Sequence, residues 1–177
     1  MEAVVKALDE EANIDIKLCQ LVRLFKNGEP FKMSKRAGTF VTVRDVVEEV
    51  GKDVLRFMML TRKNDVPFDF DVVEATKKSK DNHVFYVQYA HARIASIFRH
   101  AADMNILFSE QAALERITSP EELTILKQLI EWPRLVRAAA LNHEPHRLCF
   151  YLIDLAGSFH HLWNCGKENT TLRFLDE

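Results

Sequence analysis

Lys32, Ser34 and Lys35 stand in the run GEPFKMSKRAGTF, with Arg36 beside them and Gly28 and Gly38 outside. Ammonium groups three residues apart on a loop can reach neighbouring oxygens of a polyphosphate, and a hydroxyl between them can donate to a third. Such donors contribute most where charge develops on a leaving pyrophosphate. Flanking glycines let a loop of this kind close on a nucleotide and open again. The same composition also suits a surface hairpin with solvated lysines. Charge around the run is uneven. Between positions 17 and 36 the cations are Lys17, Arg23, Lys26, Lys32, Lys35 and Arg36, against Glu29 alone, in a chain of net charge -2. That segregation suits a polyanionic ligand or a solvated face. The overall charge excludes a uniformly basic nucleic-acid binder.

A second constellation lies in DNHVFYVQYAHARIASI. Helical steps of three and four put Tyr86, Tyr89 and Arg93 on one stripe, and Val84, Val87, His91 and Phe98 toward another. Two rings and a guanidinium can receive unstacked bases. They can equally pack against neighbouring helices with the arginine reaching outward. His160 and Trp163, three apart near the end, could flank the same pocket; alternatively Trp163 is core and His160 lies on a helix surface. His143, His146 and Cys149 in HEPHRLC have ligand-like spacing. Pro145 reads as a helix start, however, and Cys149 falls beside the apolar stripe with no fourth ligand nearby, so no metal site is expected. Arg56 suits a salt bridge or an RNA contact, and Lys77, Lys78 and Lys80 a solvated helix end or contacts to phosphates.

The elements that must hold these groups are mostly helical. EAVVKALDEE reads as a short helix with Val4, Val5 and Leu8 on one stripe. In IDIKLCQLVRLF, Ile14, Ile16, Leu18, Val22 and Leu24 share one phase of a two-residue period and predict strand. Asn27-Gly28 supplies a turn, and the return run at 40–43, FVTV, has β-branched and aromatic composition. Helices are expected across TVRDVVEEVG, stopped by Gly51, and DVLRFMMLTRK. NDVPFDFD reads as a Pro-bearing break. A long helical stretch spans 72–102, interrupted near KDNH. Ser119 with Glu122 forms a capping-box signature with Pro120 at the first helical position. Helices follow over 121–141, kinked or split at Pro133, and over 145–164, where Leu148, Leu152, Leu155, Phe159 and Leu162 predict a core stripe. The strand-like runs have no evident partner sheet.

With 47% apolar and 28% charged residues over 177 positions, the chain has the composition of a folded protein. Cys19, Cys149 and Cys165 are odd in number and widely spaced, which suits free thiols in a reducing compartment. No apolar run is long enough for a transmembrane helix, and a cytoplasmic location without membrane partners is expected.

K-M-S-K resembles the second signature of class I aminoacyl-tRNA synthetases. FKMSKRAGTFVTVRDVVEEVGKDVLRFMMLTRKNDVPFDFD is similar to the arginyl-tRNA synthetase version of it. DNHVFYVQYAHARIASI resembles that family's Y-x-Q-Y-A-H-A-R helix, and LAGSFHHLWN its F-H-x-F-Y-N pattern, with Leu162 and Trp163 departing. The matches fall in order over residues 15–164. The resemblance implies a mainly α fold, a helical anticodon-binding bundle preceded by a small α/β segment. It divides the chain into 1–44, the end of a catalytic domain with the K-M-S-K loop; 45–80, a connecting helical segment; and 81–177, a bundle truncated at its C-terminus. It assigns Lys32, Ser34 and Lys35 to ATP, with Lys35 catalytic, and Tyr86, Tyr89, Arg93, His160 and Trp163 to arginine tRNA. It implies ATP and Mg²⁺ in a parent enzyme that attaches arginine to tRNA. The His-x-Gly-His signature of that family is absent here, so a fragment inactive without its N-terminal catalytic domain is expected. The alternatives are another class I synthetase or a non-enzymatic helical RNA-binding module.

Overall fold

The computed structural model describes residues 1–12, 14–31, 40–79, 82–107, 109, 111 and 114–175. Helix α1 (Glu2–Leu8) forms where its stripe predicts, yet buries none of its residues. Strands β1 (Val22–Lys26) and β2 (Glu29–Pro30) then make an antiparallel hairpin, with Lys26 opposite Glu29. Asn27 and Gly28 have φ of 55° and 78°, the two positive values that a tight two-residue turn between twisted strands requires. On its other edge β1 pairs in parallel with β3 (Phe68–Asp71), from Val22 opposite Phe68 to Phe25 opposite Asp71, giving the order β2-β1-β3.

Helices α2 (Val43–Val50) and α3 (Lys52–Leu60) occupy the crossover between the two parallel strands, and α4 (Val72–Thr76) follows β3 directly. Val46 and Val50 of α2, Phe68 and Phe70 of β3, and Val72 and Ala75 of α4 form one buried cluster. Leu24, Leu55, Met58 and Met59 pack against it. Phe70 is 0% exposed and sits at its centre.

Three expectations for this part are corrected. Residues 14–21 are not strand. They run beside the 61–67 connection through single bonds, Gln20 N–H to the Asn64 carbonyl at 2.7 Å and Asn64 Nδ2 to the Leu18 carbonyl at 2.9 Å. Nor is 40–43 a strand. Thr42 caps α2 in a reciprocal capping box, accepting from Asp45 N–H at 3.2 Å while the Asp45 carboxylate accepts from Thr42 N–H at 2.7 Å. Satisfying those otherwise free N–H groups outweighs the β propensity of Phe-Val-Thr-Val. Finally, the break expected in NDVPFDFD contains β3, the partner that the strand-like runs lacked. Phe68 and Phe70 face the core, and Asp69 and Asp71 face away. Pro67 lies just before the strand, where its missing N–H breaks no ladder bond.

The second half is built on three long helices, α5 (His83–Asp103), α6 (Pro120–Asn142) and α7 (His146–Glu168). Helix α7 packs against both α5 and α6. As expected, the helical stretch after residue 72 is interrupted. Asn82 caps α5 by accepting from Val84 N–H, and its amide donates to the carbonyls of Ala75 and Lys77, at 3.0 and 2.7 Å. The Ser119–Glu122 capping box opens α6 as predicted. That helix runs through Pro133 as one element rather than splitting.

On α7 the core-facing line includes Cys149, Ala156, Phe159 and Leu162, whereas Leu152, placed in the stripe by spacing, is 37% exposed. A 23-residue helix drifts against any single four-step column, so the buried face moves around it. After α7 the chain turns back through a short 3₁₀ segment (Thr170–Leu172). A Cβ on buried Gly166 would meet the Leu172 carbonyl oxygen at 3.0 Å, so the absent side chain permits that return.

Candidate nucleic-acid interface

Five residues named from two separate stretches of sequence meet between α5 and α7. Tyr86 packs its ring 4.5 Å from that of His160, centroid to centroid, and Tyr89 lies 5.4 Å from the same imidazole at an interplanar angle of 30°. The Arg93 guanidinium sits 4.2 Å from the centre of the Tyr89 ring and 4.8 Å from that of Trp163. It donates to the Tyr89 hydroxyl at 2.7 Å. Helical spacing explains the α5 and α7 contributions separately; only the packing of the two helices unites them.

The roles within the cluster differ by burial. Tyr86 is half-buried and packs on Ala90, Ala156 and Phe159 together with Val87, Ile97 and Trp163. Tyr89 is 42% exposed and presents a ring to solvent. Its other neighbour is Phe85, one helical turn earlier, stacked at 5.9 Å with planes 6° apart. Arg93 is engaged inside the cluster rather than reaching freely outward. The reading of His160 as a helix-surface residue is corrected: it is 6% exposed.

The partners of His160 define its state. Nε2 lies 3.2 Å from the Tyr86 carbonyl, which can only accept, and Nδ1 lies 3.3 Å from Arg93 Nη1, which can only donate. The imidazole is therefore neutral, with its proton on Nε2. Burial pushes its pKa below the ordinary value and the Arg93 charge adds to that, while the bond to the Tyr86 carbonyl opposes.

Beside Trp163 lies a groove of about 330 Å³ with Ile97, Trp163 and Phe174 among its apolar walls and His100, Lys167 and Arg173 around it. Phe174 packs against Phe159 at 5.4 Å and Trp163 at 6.1 Å, and Arg173 Nε donates to the Gly166 carbonyl at 3.2 Å. Sequence reasoning missed Phe85 and Phe174. The four-residue step from Phe85 to Tyr89 was a usable signal. Phe174 lies beyond the helix and carries no periodicity. An apolar trough with a ring wall and cations at its margin can take a flat base and hold its phosphate nearby.

The remaining sequence candidates distribute as follows. Lys32, Ser34 and Lys35, with Met33, Arg36 and Gly38, lie outside the described residues, as does Lys80. The chain enters their segment from the β1–β2 hairpin, whose tip is tied down by Gly28 N–H donating to the Asp71 carboxylate at 2.6 Å, and leaves it into the cap of α2. Lys77 pairs with Glu74 at 2.5 Å, and Arg56 is exposed on α3. His143 lies at the end of α6, 3.0 Å from Asp15, while His146 packs edge-on against Phe150 and Cys149 is buried, where the apolar surroundings raise its thiol pKa. Among the described residues no helix is long and apolar enough to cross a membrane.

Residues 87–176 match the DALR anticodon binding domain family. The whole chain is 56% identical to an arginine–tRNA ligase of Ruegeria pomeroyi, covering 100% of this chain and 31% of that protein. It is 55% identical to one of Brucella canis, over 99% of this chain and 31% of that protein. The chain thus spans about a third of the length of these relatives. Among solved structures, an arginyl-tRNA synthetase of Campylobacter jejuni superposes with TM-score 0.69 at 33% identity, covering 83% of this chain and 32% of that one. The Thermus thermophilus arginyl-tRNA synthetase does so with TM-score 0.60 at 27% identity, covering 77% and 25%. Family match, mainly helical architecture and the ordered motifs agree, and the chain belongs to the DALR anticodon binding domain family.

Proposed function

We propose that this chain is the part of an arginine–tRNA ligase that reads the anticodon of arginine tRNA and supplies the loop that holds the ATP phosphates. The convergence of Tyr89, Arg93 and Trp163 beside an apolar groove is the observation that carries the reading. Tyr89 offers its exposed ring to an unstacked base. Arg93, held between two rings, fixes their spacing and keeps positive charge beside the incoming backbone. His160 seats Tyr86 and Arg93 from below. The names of the relatives support arginine as the amino acid.

The ligase would join arginine to ATP, forming arginyl-adenylate and releasing pyrophosphate, and would then pass the arginyl group to the terminal ribose of the tRNA with loss of AMP. Lys32, Ser34 and Lys35 would contact the ATP phosphates, with Lys35 stabilising charge on the departing pyrophosphate; Mg²⁺ would arrive with the nucleotide. Alone, the chain would bind tRNA without charging it, because it spans only about a third of the length of the ligases it resembles. The test is binding of the chain to arginine tRNA and to the same tRNA with an altered anticodon, across a salt series. A preference for the native anticodon that survives rising salt supports base reading. Equal binding that collapses with salt would reduce the contact to phosphate attraction.

A further inference from the structure

His161 and Cys165 lie one turn apart on α7, on the side facing the start of α6, and Glu121 stands in the first turn of α6. One ligand-capable atom from each falls within 4.8 Å of the others. Cys165 Sγ lies 3.7 Å from His161 Nε2. In a tetrahedral zinc site with Zn–S about 2.3 Å and Zn–N about 2.0 Å, the sulfur and nitrogen are about 3.5 Å apart. The two helical ligands are therefore already spaced for one ion. Glu121 follows the Ser119 cap and Pro120, which fix the first turn of α6 against α7, so the third ligand sits on a positioned backbone.

We propose that Glu121, His161 and Cys165 bind one zinc ion. A thiolate, an imidazole and a carboxylate together favour zinc over magnesium or calcium, which prefer all-oxygen shells. A cleft of about 350 Å³, lined by Glu121, Thr124, Ser158 and His161 among others, opens beside the trio and gives water access to the fourth position. Binding replaces the Cys165 S–H bond by an S–Zn bond and releases the proton to solvent, so affinity falls as pH is lowered. The ion would staple the start of α6 to the turn of α7 that also carries His160 and Trp163. The site was hidden in the sequence because Glu121 is 40 positions from His161. Attention there goes to His143, His146 and Cys149, which do not bring three ligand atoms together among the described residues.

The experiment titrates the metal-stripped 177-residue chain with Zn²⁺ against a chromophoric chelator, and with Co²⁺ to read the thiolate-to-cobalt absorption. One equivalent is expected, with a rise in melting temperature. Changes outside a zinc shell already weaken binding about 10- to 100-fold, so Cys165→Ser and His161→Gln should weaken it about 100-fold or more. Glu121→Gln should weaken it less, and Cys149→Ser should leave it unchanged. Should a variant fail to fold, alkylation mapped by mass spectrometry serves on the unaltered chain. Zinc should protect Cys165 while exposed Cys19 stays reactive. Uptake that survives Cys165→Ser, absence of the thiolate band, or equal alkylation of Cys165 with and without zinc would overturn the proposal.

Discussion

Tyr89 and Tyr86 are three residues apart on one helix, yet they do different work. Tyr86 is held by Ala156 and Phe159 and by the imidazole beneath it, so changing it disturbs packing. Tyr89 keeps an open ring, and Tyr89→Ala should weaken arginine-tRNA binding by about 1–3 kcal/mol, roughly 5- to 150-fold, the value of one stacked base. Tyr89→Phe, which keeps the ring and loses the hydroxyl bond to Arg93, should cost far less; filter binding distinguishes the two. His160 sets a pH dependence of its own. Its folded pKa is depressed below the unfolded value of about 6.5 by burial, so the unfolded chain binds the extra proton first. The associated stability is complete above that pH and is lost as pH falls from there through the folded pKa. Melting temperature should therefore fall as pH drops below about 6.5, and His160→Gln should flatten that slope. Asp45, Asp71 and Glu144, whose pKa values are lowered by hydrogen bonds, contribute stability that is lost only as pH falls below the unfolded carboxylate range.

Asp71 joins three elements through one carboxylate. It ends β3, caps α4 by accepting from Val73 and Glu74 N–H at 2.9 and 3.2 Å, and holds the β1–β2 turn through Gly28 N–H. Asp71→Ala removes a helix cap and the hairpin anchor together and should lower stability by about 1–2 kcal/mol. Urea unfolding would show it as a lower midpoint with an unchanged slope. Several elements were legible before folding was considered. The Asn27-Gly28 turn, the Ser119 box and the break before α5 depend on hydrogen bonds and torsions within a few residues. The strand at Phe68–Asp71 was not, because four residues with one alternation make a weak signal and its stability comes from Phe70 entering a core shared with α2 and α4. The 40–43 run gave way to a local cap, the reciprocal Thr42–Asp45 box that opens α2.

At the scale of the whole molecule, two cores lie along one chain, one around Phe70 and one around Phe159, and α3 touches both α5 and α7. The proposed phosphate loop falls in sequence between elements of the first, and the proposed base-reading cluster belongs to the second. In a full-length ligase carrying this sequence, Lys35→Ala should slow adenylate formation by about 100-fold or more, as loss of one charge-stabilising donor does. Arginine-tRNA affinity should stay nearly unchanged. Pyrophosphate exchange with tRNA present, measured beside tRNA binding, checks the split; equal losses would move Lys35 to the RNA-contact side.

The sequence by itself determined which segments could be helices, where the hairpin turns, and which rings and cations could meet RNA. Those properties rest on torsions, caps and spacing within one or two turns. Only the tertiary structure decided that Arg93 and His160, 67 positions apart, would share a contact, that His160 would be buried and neutral, and that Leu152 would face out. It also decided that Glu121 would come to His161 and Cys165. Each of these depends on which face α7 turns toward α5 and which toward α6. That choice is made by the summed burial of many side chains from distant segments, and no local pattern carries it.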